Sequence, residues 1–311
     1  MLDSLLVLSV SLAALVLSSQ WVITQAVKLA RFFRVSDAAI GFLLISVATS
    51  LPELMVSIQS ALKGTVSLGI GNVLGANISD VCLGTGLVAL TAGIYLKKGE
   101  YSDLTKSLLV ASLLPFLMFL EMGNFLGFVL LAVFVLYAMM MWRKEEGNLA
   151  IGQSRPSNMQ AVVAFAFFCA SVAAVVYSSN YAVNSALDLS KALGVSAAFV
   201  GGVVLALGTT LPEISVSLAA IRRRNTGLAI GNLVGSCVVN LTLVLGAAAI
   251  IRPLRADFLT FMDLAAFSVL ANVILFVFVR SGKLEKMEGA AMLGLYIIYV
   301  FVMFAMQANG G

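Results

Sequence analysis

Histidine is absent from this chain of 311 residues. That removes the commonest transition-metal ligand and the usual general base, so oxygen atoms are left as the coordinating groups. Charge is scarce as well: Asp, Glu, Lys and Arg make up 11% of the residues against 61% hydrophobic, with a mean hydropathy of +1.05. A soluble globule of this length needs far more polar surface, so the composition places the chain in a membrane. Cysteine occurs three times, at Cys82, Cys169 and Cys237. All three lie in apolar stretches without paired spacing, which suggests neither a disulfide framework nor a thiolate metal site. The net charge of +4 is modest, and its basic residues cluster at the ends of apolar runs. Such clusters report topology and give no sign of nucleic-acid binding. A basic leader is missing too: Met1-Leu2-Asp3-Ser4 opens an apolar run that continues past Trp21, which we read as a retained first span.

What is present is a duplication. Ala48-Thr49-Ser50-Leu51-Pro52-Glu53 sets an acid and a helix breaker inside a long apolar run, and Gly208-Thr209-Thr210-Leu211-Pro212-Glu213 repeats the wording. The offset of 160 also pairs Ser57 with Ser217, Asn72 with Asn232 and Gly75 with Gly235, without a gap. A carboxylate in a membrane-length apolar segment is expensive to place, so by default it marks a site. Two of them at equivalent places strengthen that reading.

Spans of about twenty apolar residues, the length that crosses a hydrocarbon core, fall near 5–27, 38–62, 68–94, 104–120 and 125–142, then near 161–187, 197–221, 228–251, 259–279 and 289–306. The expected fold is therefore an all-α polytopic membrane protein of ten transmembrane helices: a first five-helix repeat over 1–142, a polar linker over 143–158 and a second repeat over 159–311. The site helices are 38–62 and 68–94 in one half and 197–221 and 228–251 in the other. Pro115 is expected to kink its span, Lys106 to snorkel from the same span, and Ser36 and Ser196 to cap the site-bearing spans. Asn180, Asn184 and Asn272 read as interhelical hydrogen-bonders. With both termini outside, fifteen of the nineteen Lys and Arg residues fall in inner loops, leaving Lys63, Lys191, Arg252 and Arg255 outside. Because each half has an odd number of spans, the second enters the membrane from the opposite side, and the halves are inverted repeats. Secondary transporters of this build bind substrate at the repeat interface, on interrupted helices.

The site chemistry follows from spacing. Proline has no amide proton, so Pro52 and Pro212 release the carbonyls of Ala48 and Gly208 toward a cavity, the one setting in which unpaired backbone is tolerated at membrane depth. Thr49, Glu53 and Ser57 share a helical face, as do Thr209, Glu213 and Ser217; so do Asn72, Ala76 and Asp80, and Asn232, Ser236 and Asn240. Three carboxylates with hydroxyl, amide and carbonyl oxygens suit calcium, which accepts six to eight hard oxygens in flexible geometry. Sodium is able to use subsets of the same ligands, and competition for shared carboxylates is a physical basis for exchange.

These motifs resemble the α-repeats of the sodium/calcium exchanger family, within the cation/calcium antiporter superfamily, over essentially the whole chain. The matching wording is Thr49 to Glu53 with Gly71-Asn72 and Gly75-Ala76-Asn77, and Thr209 to Glu213 with Gly231-Asn232 and Gly235-Ser236. The resemblance implies antiport of calcium against several sodium ions across the plasma membrane, by a protein that is not an enzyme and holds no cofactor. It implies Glu53 and Glu213 as shared calcium ligands, with the backbone oxygens of Thr49 and Thr209 completing the shell. Flanking sodium positions would draw on Ser50, Thr210, Ser236 and the backbone at Ser46 and Ala206, and the first span of each half would slide over a fixed eight-helix core. Three departures stand out: Ala76 in place of a site serine, Thr210 where the other half has Ser50, and the unequal pair Asp80 and Asn240. Asp80 is either a cation ligand or a protonated hydrogen-bond donor. The alternatives are proton-coupled or potassium-dependent calcium exchange, and from other classes an intramembrane hydrolase or a passive channel. The lipid bilayer and the transported ions are the expected partners, and a monomer is the working expectation.

Overall fold

The computed structural model describes residues 2–32, 45–95, 102–120, 122–145, 156–255 and 258–309. Apolar sequence at membrane depth must satisfy its backbone internally, and a helix does so within one segment. The chain accordingly runs through helices α1 (Leu2–Phe32), α2 (Ile45–Thr49), α3 (Leu51–Leu62), α4 (Val66–Ile78), α5 (Thr85–Ala92), α6 (Ser102–Ala111) and α7 (Phe125–Glu145). It continues through α8 (Asn158–Leu193), α9 (Ala197–Phe199), α10 (Ala206–Thr209), α11 (Leu211–Arg222), α12 (Thr226–Val239), α13 (Leu245–Ile251), α14 (Phe258–Ser281) and α15 (Lys286–Asn309). Seven helical stretches among the described residues are long and apolar enough to cross a membrane. A two-residue antiparallel ladder, β1 (Ile94–Tyr95) on β2 (Lys283–Leu284), joins the chain after α5 to the chain after α14, so these two connections share one membrane face.

Several ends are written locally. Ser157 and Gln160 form a reciprocal cap at the start of α8, and Gly194, in the left-handed region at φ 67°, ends it. Ser196 accepts from the Phe199 amide as expected, whereas Ser36 lies outside the described residues. The left-handed turn after α3 is made by Gly64 at φ 77°, and the matching turn after α11, 160 positions on, by Arg224 at φ 59°. At Pro115 the outcome exceeds a kink: α6 stops at Ala111 and the chain tightens into a 3₁₀ helix, Leu114–Leu120. Without an amide proton Pro115 cannot extend the α-helical ladder, and the chain here re-forms with shorter-range bonds.

Burial sorts the elements into centre and periphery. The apolar middles of Val66–Ala92 and Thr226–Ile251 are 83% and 78% buried within the protein, against 33% in α1 and 22% in α8. α1 and α8 pack along one another on the outside, with Trp21 against Phe167 at 5.9 Å. In lipid such association rests on close packing, since tails are as apolar as leucine. The centre shows it plainly: a methyl added at Gly75 would lie 2.0 Å from the Gly202 carbonyl oxygen, and one at Gly71 would lie 2.2 Å from that of Ala198. Glycine is the one residue that permits α4 to cross the 198–202 backbone at this distance.

Of the asparagines expected to bond between helices, Asn272 and Asn184 do so through their side chains and Asn180 only through its backbone carbonyl. Asn272 donates to Ser112 at 2.6 Å, and Lys63, in the turn after α3, donates to the Asn180 carbonyl at 3.3 Å and to Asn184 Oδ1. Partial burial there lowers the Lys63 ammonium from its usual value. All three cysteines are free, with Cys82 and Cys237 buried and Cys169 exposed.

Candidate functional site

Both duplicated segments break where the prolines require it. α2 ends at Thr49, Ser50 is a turn, and α3 restarts at Leu51 with Pro52 in its first turn. α10 likewise ends at Thr209, and α11 restarts at Leu211 with Pro212 in the same place. Proline is tolerated there because the first amides of a helix have no intrahelical acceptor to lose. Each break places an acid in the first turn of the new helix, Glu53 in α3 and Glu213 in α11.

The partner helices contain a second irregularity. After α4 the chain widens into a π-helical turn, Ser79–Gly84, in which the Thr85 amide reaches back five residues to the Asp80 carbonyl. After α12 the same occurs in Asn240–Val244, where the Leu245 amide reaches the Asn240 carbonyl. Asp80 and Asn240 thus hold equivalent places, each accepting a wide bond of its π turn. A third π turn, Val200–Leu205, leads into Ala206 and α10. Single wide turns of this kind frequently mark functional positions in helices.

The predicted polar stripes converge. Thr49, Glu53, Ser57, Asn72, Asp80, Thr209, Glu213, Ser217, Asn232, Ser236 and Asn240 are all buried, and the two glutamates have no exposed surface. The contacts cross between the halves. Thr49 donates to Asn232 Oδ1 at 3.3 Å and meets the Ser236 hydroxyl at 3.2 Å, while Thr209 donates to Asn72 Oδ1 at 3.2 Å. Asn232 in turn donates to the Glu213 carbonyl and to Ser217 Oγ, both at 3.0 Å. Ser236 has no counterpart in the other half, because Ala76 occupies that place.

The carboxylates of Glu53 and Glu213 lie within electrostatic reach of each other, and Asp80 within reach of both. The Thr209 side chain faces Glu53 and that of Thr49 faces Glu213, yet no contact of hydrogen-bond geometry is made: all four glutamate oxygens are buried without a partner. So are Ser46 Oγ, Ser50 Oγ, Ser57 Oγ, Asp80 Oδ1 and Asn240 Oδ1. Each buried polar atom left unpaired costs about 1–3 kcal/mol, more when charged. So many unpartnered oxygens gathered together are an environment that a cation relieves, and the hard oxygen set matches calcium or sodium chemistry. Among the described residues, no three or more Cys, Asp and Glu side chains converge as a metal-holding group. Asp80 is buried with its Oδ2 4.0 Å from Cys237 Sγ, and an ion shared by the two glutamates would take the balance of its oxygens from hydroxyl, amide and carbonyl groups.

The two flanks differ. Thr210 Oγ1 is held by the Ala206 carbonyl at 2.9 Å, which also receives the Thr210 amide at 3.1 Å, whereas Ser50 Oγ is free of partners. The asparagines that orient the threonines, Asn72 and Asn232, were visible in the sequence as members of the stripes but not as the groups that hold Thr209 and Thr49. Asn77 went unnoticed as a positioning group: its Nδ2 donates to the Cys237 carbonyl at 3.1 Å and its Oδ1 accepts from Asn240 at 3.1 Å. Its counterpart at the 160 offset is Cys237 itself, so the duplication offered no matching amide to flag it.

Comparison with known proteins gives the same direction. The sequence pattern described as "Sodium/calcium exchanger protein" matches residues 3–143 and 163–305. The chain is 27% identical to sodium/calcium exchanger MaX1 of Methanosarcina acetivorans, over 96% of this chain and 98% of that one. It is 28% identical to the putative antiporter CaxA of Alkalimonas amylolytica, over 98% of this chain and all of that one. The fold is similar to that of the sodium-calcium exchanger NCX_Mj soaked with Na⁺ and Sr²⁺, with a TM-score of 0.66 at 27% identity over 96% of this chain and 97% of that one.

Proposed function

This chain belongs to the sodium/calcium exchanger family, a family of multi-pass membrane transporters, and from that premise we propose that it exchanges calcium for sodium by alternating access. The observation that carries the reading is the pair Glu53 and Glu213: fully buried, on two proline-broken helices, all four oxygens without a hydrogen-bond partner. Both carboxylates hold one calcium ion, helped by the backbone oxygens of Thr49 and Thr209. Sodium ions take the flanking oxygens of Ser46, Ser50, Ala206, Thr210 and Ser236, with Asp80 and Asn240 closing the site below. The filled site is stable with either set of cations. The empty one carries unpaired buried charge, so an unloaded carrier seldom crosses over.

The ten spans form two inverted five-helix repeats, 1–142 and 159–311, joined by a cytoplasmic linker, with both termini outside the plasma membrane. Reciprocal contacts support this. Where two equivalent units face one another about a two-fold axis, contact i to j is matched by j to i, and residues on the axis meet their own equivalents. Thr49 with Asn232 and Thr209 with Asn72 are such a reciprocal pair. Asn77 with Cys237 and Ser112 with Asn272, each 160 apart, are such axial meetings. The β ladder supports the orientation, because it pairs Tyr95 with Lys283 and so sets the chain after α5 on the same face as the basic connection after α14.

Proton coupling is the second reading, favoured by the buried carboxyl of Asp80 within electrostatic reach of both glutamates. Calcium uptake into vesicles under an imposed sodium gradient or an imposed pH gradient separates them. Uptake driven by sodium at constant pH supports the proposal; uptake driven by pH alone, and lost in Asp80→Asn, replaces sodium by protons.

A further inference from the structure

A polar cavity of about 550 Å³ lies at the ends of α3 and α13. Its walls come from the turn at Gly64, the start of α4 at Ser67, Asn124 ahead of α7, and Arg252 and Arg255 beyond α13. Both arginines are exposed, and neither has an ion-pair partner among the described residues. On the orientation proposed above they lie on the external face, where only four of the nineteen basic residues fall. Topology accounts for basic clusters on the opposite face but not for two guanidinium groups gathered in one external pocket.

We propose that this pocket binds a phosphate oxyanion, supplied by a lipid headgroup or by free phosphate. Guanidinium is planar and always charged, and its paired N–H donors fit phosphate oxygens two at a time. Asn124 spends one amide proton on the Ile250 carbonyl at 2.6 Å and keeps another, and Ser67 adds a hydroxyl. Leu62, Phe125 and Ile251, exposed on the same helix ends, put the pocket at a border between apolar and polar surroundings, where lipid phosphates lie. The volume accommodates a phosphodiester headgroup. A bound anion would also tie α13 to α3, which pack together, and so brace the external end of the helix that carries Glu53.

The two arginines are separable. Arg252 follows the last turn of α13, where a cation offsets the helix dipole, and its Nη1 would lie 2.6 Å from a methyl at Gly64. Arg255 has no such duty, so Arg255→Gln is the discriminating variant. The full chain in phosphate-free maltoside detergent is titrated with inorganic phosphate or with short-chain phosphatidylglycerol, each against chloride at equal ionic strength, and thermal unfolding is followed by tryptophan fluorescence. At least one ligand should raise the midpoint saturably, and Arg255→Gln should raise the half-saturating concentration about tenfold or more, the loss of one charge-assisted contact. Saturation by inorganic phosphate identifies a free anion; a response to the lipid alone identifies a headgroup. Failure of both to exceed chloride, or an unchanged half-saturation in Arg255→Gln, overturns the proposal.

Discussion

Thr49 and Asn232, 183 residues apart in the chain, share a buried hydrogen bond of 3.3 Å, and the same asparagine holds the backbone carbonyl of Glu213 at 3.0 Å. One amide side chain therefore fixes the threonine of one half and the acid-bearing turn of the other. Asn72 does less: it accepts from Thr209, but its Nδ2 has no partner.

This inequality predicts unequal costs. Asn232→Leu removes three side-chain hydrogen bonds, with Thr49, the Glu213 carbonyl and Ser217, whereas Asn72→Leu removes one, with Thr209. Thermal unfolding in detergent should show Asn232→Leu to be the more damaging by roughly 2 kcal/mol, the worth of two further buried hydrogen bonds at about 1 kcal/mol each.

The crossing at Gly75 predicts steric failure. Gly75→Ala forces its methyl against the Gly202 carbonyl, 2.0 Å away, with no flexible side chain able to yield. A loss of about 3 kcal/mol or more is expected from overpacking between two backbones. Gly294→Ala, where nothing lies within 4 Å, is the control and should unfold like the parent.

The flanks predict unequal sodium responses. Ser50 Oγ is buried and unpartnered and free to turn toward an ion, while the Thr210 hydroxyl donates to the Ala206 carbonyl at 2.9 Å, which fixes the direction in which its lone pairs can serve one. In sodium-driven calcium flux, Ser50→Ala should raise the half-maximal sodium concentration about tenfold, equivalent to roughly 1.4 kcal/mol, and Thr210→Ala by less than about threefold.

Ala76 predicts a gain. Thr49 has the Ser236 hydroxyl at 3.2 Å, and Thr209 has no equivalent because the matching side chain is a methyl. Ala76→Ser should lower the half-maximal sodium concentration by several-fold, since one more neutral oxygen contributes about 1 kcal/mol. An unchanged or higher value would exclude a sodium position beside Thr209.

Much of this site was legible in the sequence because an acid, a proline and a helical polar stripe each carry a large energetic penalty in lipid unless they serve a cavity, and all three recur at one offset. Glu53, Glu213 and their stripes accordingly appear buried together. The π turns at Asp80 and Asn240 were not legible: widening a helix by one residue alters no composition and no periodicity that a single sequence displays. Pro115 announced a disturbance but not its size, since proline forbids one bond without dictating what replaces it. Asn77 was hidden for a different reason, that it meets its own symmetry partner, Cys237, and so has no twin to mark it. The place of Asp80 relative to the glutamates was not legible either, because helical spacing aligns it with Asn72 along one face without setting its distance from acids on other helices.

The most direct test is sodium-gradient-driven calcium flux through the parent and through Glu53→Gln and Glu213→Gln, each reconstituted at equal amounts and shown to fold by its unfolding midpoint. Glutamine keeps the shape and removes the charge. Both variants should fall to the flux of protein-free vesicles; undiminished calcium transport in Glu213→Gln would contradict the assignment of a divalent ion shared between these two buried acids.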